Sequence, residues 1–101
     1  SWKHVCFYKT ELVGFSGTNE NEITWLYVDP KYFGMGVGRV LLEHALRNMT
    51  GVPFLYVLSE NIPAITLYQS LGFVEVERSS EKENGYSCTV LKLVMPGDNR
   101  Y

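Results

Sequence analysis

The sequence predicts an α/β chain, a mixed and mostly antiparallel twisted sheet carrying two packed helices, in the order β-β-β-α-β-α-β-β. Three observations lead there. Short β-branched and aromatic runs, closed by polar or glycine- and proline-bearing segments, fill the beginning and the end of the chain. The apolar spacing turns helical after Gly34-Met35-Gly36-Val37-Gly38 and again after Asn61-Ile62-Pro63. The strand–helix–strand stretch from Ile23 to Leu58 requires a crossover, so its two strands are expected to be parallel neighbours.

In chain order, His4 to Lys9 and Glu11 to Ser16 read as strands, followed by a polar loop over Gly17 to Asn21. Ile23 to Val28 is nearly continuous in apolar residues, which predicts a strand buried on both faces. Asp29-Pro30 ends it, because proline donates no ladder hydrogen bond and restricts the residue before it. Val37, Val40, Leu41, Ala45 and Met49 then mark one helical face, flanked by Leu42 and Leu46, with Gly51 as the stop. Val52 to Leu58 reads as a second buried strand. Pro63 suits the first turn of a second helix, Ala64 to Leu71, which Gly72 ends. Phe73 to Arg78 and Tyr86 to Met95 read as a hairpin around a polar loop, Ser79 to Gly85, before a loose tail from Pro96 to Tyr101. With 101 residues there is room for one domain, expected to cover the whole chain.

Composition removes several classes of function. Apolar residues make up 46% of the chain and charged ones 20%, the mixture of a folded globular domain and not of a disordered one. Nine Lys and Arg against eleven Asp and Glu give a net charge of −2, so nothing draws the chain to nucleic acid or to an anionic membrane surface. No apolar run approaches the roughly 20 residues that span a bilayer, and the start SWKHVCFYK is not built like a signal peptide. Cys6 and Cys88 stand far apart and without metal-ligand spacing. They read as reduced thiols of a cytoplasmic protein, with a single bridge as the other reading. His4 and His44 fit packed or half-exposed histidines, and no cluster of ligands suggests a metal.

Chemistry concentrates in Val28-Asp29-Pro30-Lys31-Tyr32-Phe33-Gly34-Met35-Gly36-Val37-Gly38-Arg39. A strand runs into a turn with glycine at alternate positions, and the turn opens a helix. Unshielded N–H groups and the positive end of the helix together suit a phosphate or pyrophosphate. The spacing is neither that of a dinucleotide fingerprint nor that of a P-loop. Glycines that merely allow close packing of strand and helix remain the other reading.

A second segment, Asn61-Ile62-Pro63-Ala64-Ile65-Thr66-Leu67-Tyr68-Gln69-Ser70-Leu71-Gly72-Phe73, follows the next strand. Together the two segments resemble the GNAT superfamily, the Gcn5-related N-acetyltransferases that use acetyl-CoA. The first is similar to that family's V-x-P-x-x-(Q/R)-G-x-G-x-G motif and the second to its N-x-x-A-x-x-x-Y-x-x-x-G-F motif. The likeness runs from about Glu11 to Met95.

The resemblance implies a splayed parallel strand pair that admits the pantetheine arm. Backbone amides of Gly34, Met35, Gly36, Val37, Gly38 and Arg39 would hold the CoA pyrophosphate, chiefly those of Gly36 and Gly38. Val28 would pair with the arm, the Leu26 N–H would face the thioester oxygen, and Asn61, with Ala64 in the same motif, would bind the cofactor. Tyr68 falls on the family's usual general acid; packing of the helix on the sheet is its alternative role, as helix capping is for Asn61. Glu22, at the start of the central strand and expected on the same face as Thr24 and Leu26, is the candidate base; a solvated carboxylate and a water relay are the alternatives. Phe33 stands where the family prefers Gln or Arg, and Met35 where Lys is common.

The resemblance further implies a short form, because the family begins with a strand and two helices whereas about one strand precedes Glu11. Either a partner chain completes the acceptor site, or that site is open, or the chain is truncated, and the uncovered sheet edge and apolar surface would suit a homodimer. The implied activity is acetyl transfer from acetyl-CoA to a primary amine, on a small molecule or a peptide, by direct attack on the thioester. A non-catalytic CoA-binding regulatory module is the alternative.

Overall fold

A computed structural model of the chain describes residues 2–8, 11–83 and 85–96. Its elements follow the predicted order and form two compact units, Ser1–Gly51 and Val52–Tyr101. The tail from 97 to 101 lies outside the described residues.

The first unit is an antiparallel meander of β1 (Trp2–Tyr8), β2 (Glu11–Asn19) and β3 (Glu22–Val28), followed by a 3₁₀ turn at Pro30–Tyr32 and helix α1 (Val37–Arg47). Strand β2 runs through most of the segment expected to be a loop, and the reversal is confined to Glu20 and Asn21. Between β2 and β3 the register slips: Gly17 faces Trp25 while Thr18 faces Ile23, so Thr24 is an extra residue, a β-bulge. The bulge reverses the alternation of β3. Ile23, Leu26 and Val28 share the face of Thr18, Ser16 and Gly14, while Glu22, Trp25 and Tyr27 share that of Asn19, Gly17 and Phe15.

The first of these faces receives α1. A Cβ at Gly14 would sit 2.8 Å from the Tyr27 carbonyl oxygen, with Val37 Cγ1 at 3.0 Å and Leu41 Cδ1 at 3.1 Å, so the backbone of β3 excludes a side chain here and α1 packs over the bare position. The second face carries aromatic rings. Phe15 stacks on Tyr27 at 5.1 Å and meets Trp25 edge-on at 5.0 Å, and the Trp25 indole covers the bare backbone of Gly17.

Two expectations are therefore corrected. Strand β3 is not buried on both faces, since Trp25 and Tyr27 are 40% and 47% exposed; its continuous apolar run combines a core face with a more open aromatic one. Glu22 does not share a face with Leu26, because the bulge at Thr24 lies between them.

Helix α1 buries Leu41, Leu42, Ala45 and, just past its end, Met49. Val40, assigned to the core from spacing, is exposed, and Leu42, assigned to the flank, is fully buried. At 100° per residue the arc through Leu41, Ala45 and Met49 is centred toward Leu42 and away from Val40. The helix ends at Asn48 and not at Gly51, whose N–H donates to Asn21 Oδ1 at 2.9 Å.

The second unit contains β4 (Phe54–Leu58), α2 (Ile62–Ser70), β5 (Val74–Glu83) and β6 (Tyr86–Val94), with β6 antiparallel to both β4 and β5. Its core is Leu55, Val57, Tyr68, Phe73, Leu91, Leu93 and Met95. The polar loop expected over Ser79 to Gly85 is mostly strand, paired from Ser79↔Val90 to Glu83↔Tyr86. Much of this end of the hairpin is exposed, so it shows no apolar alternation to read in the sequence.

Candidate active site

Beyond β3 the chain is held by its own turns. Asp29 Oδ1 accepts from the Lys31 N–H at 3.0 Å, and the N–H groups of Tyr32, Phe33 and Met35 donate to the carbonyls of Asp29, Pro30 and Tyr32. Gly34 and Gly36 then take φ of +81° and +82°, left-handed values that L side chains rarely adopt. A Cβ built on either would meet nothing within 4 Å. Close packing therefore does not account for these two glycines; backbone conformation does.

Gly36 is the N-cap of α1 and has no side chain to satisfy the first turn. Among the described residues, the amides of Gly34, Gly36, Val37 and Gly38 have no backbone acceptor. Open space, uncommitted donors and the positive end of an 11-residue helix coincide here, and this donor set fits a diphosphate. The Met35 amide is partly spent on Tyr32. Phe33 and Met35 are exposed beside the turn, Val37 and Gly38 are half-buried, and Arg39 is exposed. Leu26 and Val28 stand half-buried in β3, opposite Ser16 and Gly14, and Glu22 is half-buried at the strand's start.

In the second unit α2 brings together Asn61, Ala64 and Tyr68. Asn61 caps the helix, its Oδ1 accepting from the Ala64 N–H at 3.3 Å, and Pro63 stands in the first turn. Capping uses only the carboxamide oxygen, so the side-chain NH₂ is the group left to donate to a ligand. Tyr68 is 7% exposed, and burial pushes its phenol above the ordinary value of 10.0, because the phenolate would lose its solvation. The phenol is thus fully protonated at neutral pH and can act as a proton donor. Its ring meets that of Phe73 edge-on, with centroids 5.9 Å apart. Sequence reading placed Phe73 in a motif without giving it a role; the signal was its position five residues after Tyr68, just past the helix end.

The described residues contain no group of three or more His, Cys, Asp or Glu placed to hold a metal, and no described helix is long and apolar enough to cross a membrane. Cys6 and Cys88 are free thiols. His44 is exposed, and His4 lies within β1.

Residues 2–75 match the family model of the acetyltransferase (GNAT) domain. The chain belongs to the GNAT acetyltransferase family. It is 33% identical over 86 residues to the peptidyl-lysine N-acetyltransferase YjaB of Salmonella typhimurium, a match covering 85% of this chain and 59% of that protein. It is 39% identical over 74 residues to the N-alpha-acetyltransferase RimI of Mycobacterium tuberculosis, covering 64% of this chain and 47% of the relative. The solution structure of apo YjaB from Escherichia coli superposes with a TM-score of 0.75 at 32% identity, over 88% of this chain and 60% of that one. The fold is therefore GNAT-like, and the chain spans about three fifths of the YjaB proteins it matches.

Proposed function

We propose that this chain carries the acetyl-CoA-binding and catalytic part of an N-acetyltransferase, as one domain, and that its acceptor is a primary amine of the lysine side-chain type. The observation that carries the proposal is the glycine turn before α1, where amides with no backbone acceptor among the described residues stand beside open space at Gly34 and Gly36. Family membership supplies the cofactor class, and the lysine acceptor is suggested by the names of the YjaB relatives. Two free cysteines accord with a reducing, cytoplasmic setting.

In this reading the amides of Gly36 and Gly38 hold the diphosphate, with Gly34, Val37 and Arg39 around it and Phe33 and Met35 at its margin. Val28 pairs with the pantetheine arm through its backbone, and Asn61 donates from its carboxamide at the start of α2, beside Ala64. A neutral amine attacks the thioester carbonyl and forms the amide C–N bond as the C–S bond breaks. The Leu26 N–H, lying in the plane of the sheet, stabilises charge on the carbonyl oxygen. Glu22, directly or through water, takes the proton lost by the amine, and Tyr68 protonates the departing thiolate.

The test is to incubate the protein with acetyl-CoA and a lysine-bearing peptide. Free thiol should appear in step with a one-acetyl mass gain on the peptide, and both should cease without the amine. CoA binding with no turnover on any amine would replace the enzyme with a CoA-responsive regulatory module, a reading consistent with the apolar Phe33 and Met35 beside the turn.

A further inference from the structure

We propose that Phe73 is a positioning residue for Tyr68, and that the C-terminal cap of α2 is the device that aims the phenol. The inference rests on the reading of Tyr68 as the acid.

Helix α2 ends with Leu71 as its C-cap, and Gly72 turns out of it at φ +109°. The Gly72 N–H donates to the Gln69 carbonyl at 3.1 Å and the Phe73 N–H to the Tyr68 carbonyl at 3.1 Å. This is the paired-bond cap in which a residue two beyond the C-cap reaches back to the helix and an apolar contact joins the same two positions. Here both members of that contact are aromatic. Phe73 therefore holds Tyr68 twice, by a backbone hydrogen bond and through the edge-on ring contact at 5.9 Å and 64°. The Tyr68 carbonyl also accepts from the Leu71 N–H at 3.1 Å, so the backbone under the phenol is fixed by two donors.

Phe73 is 2% exposed and among the largest fully enclosed side chains. Its ring is part of what keeps water from Tyr68. A smaller residue at this position frees the phenol to change rotamer and lets solvent reach it. Gly72 contributes through its backbone: an L side chain at φ +109° is strained, so substitution there loosens the cap while leaving the Phe73 ring in place.

The experiment is Phe73→Leu, with Phe73→Met as the volume-keeping variant that is read if the first does not fold. Tyrosine Cζ NMR, with Tyr68 assigned by its loss in Tyr68→Phe, follows the phenol directly, and steady-state kinetics are run beside it. Phe73→Leu should move the Tyr68 titration down toward 10.0. It should also lower kcat about 10- to 100-fold while changing KM for acetyl-CoA by less than about twofold, as misaimed catalytic groups do. Phe73→Met should restore much of both, since its thioether can still contact the ring. Gly72→Ala should shift the same resonance in the same direction. A folded Phe73 variant whose Tyr68 titrates as in the wild type, with kcat unchanged, overturns the inference. Full turnover in Tyr68→Phe would instead remove the acid role, while the NMR titration still reports whether Phe73 sets the phenol's surroundings.

Discussion

Two glycines of this chain share a conformation and differ in what surrounds them functionally, and that difference makes a controlled experiment. Gly36, at the start of α1, and Gly85, in the β5–β6 turn, both sit at φ +82°, and a Cβ on either meets nothing within 4 Å. Replacing either with alanine therefore adds no clash; it only forces an L residue into the left-handed region, at a cost of roughly 1–2 kcal/mol. In a domain of this size each kcal/mol lowers Tm by about 4–8 °C, so Gly36→Ala and Gly85→Ala should melt at similar temperatures below the wild type. Their effects on CoA should separate. The methyl group added by Gly36→Ala projects into the space proposed for the diphosphate, and losing one charge-assisted hydrogen bond is worth about 1.5–3 kcal/mol, or about 10- to 150-fold in Kd. Calorimetric titration with CoA, beside thermal melts, reads both quantities. Gly36→Asn refines the comparison, because asparagine tolerates the left-handed region better and should recover stability without recovering affinity. Equal CoA affinity in Gly36→Ala and Gly85→Ala would refute the diphosphate cradle.

Tyr68→Phe should lower kcat about 10²- to 10⁴-fold, the usual share of a general acid, with CoA affinity in calorimetry near the wild-type value. Because burial raises the Tyr68 phenol in the folded state, its contribution to stability is complete below the unfolded value near 10.0 and is lost as pH rises through the folded one. Urea unfolding from about pH 9 to 11 should thus show a steeper decline for the wild type than for Tyr68→Phe. Ser16 is fully buried on the α1 face of β2, and its Oγ has no hydrogen-bond partner among the described residues. Ser16→Ala should therefore raise stability by about 1–3 kcal/mol, the cost of a buried unpaired hydroxyl; a lower Tm would instead mean that the hydroxyl is bound to water.

The element order was legible where a strand or helix carries its own stop. Asp29-Pro30, Pro63 and Gly72 stand where the structure turns, and Asn61 caps α2 as its type suggests. The glycine spacing before α1 foretold a turn, though only the positive φ of Gly34 and Gly36 and the open space beside them separate a conformational need from a packing one. What stayed hidden depends on cross-strand pairing. Nothing about Thr24 announces a bulge, yet that one residue places Glu22 with Trp25 and Tyr27 and away from Leu26. The β5–β6 hairpin outruns its apolar pattern because its exposed end is held by backbone pairing and the Ser80–Thr89 hydroxyl contact, not by burial. Val40 and Leu42 exchanged roles for a related reason: a helix with apolar residues over a wide arc reveals its centre only when a sheet takes one side.

Amide chemical-shift mapping of the ¹⁵N-labelled protein during titration with CoA tests the proposed diphosphate grip most directly. Binding through the turn before α1 predicts the largest shifts at Gly36, Val37 and Gly38, with smaller ones at Gly34 and Arg39. Saturating CoA that leaves those amides unmoved would contradict it.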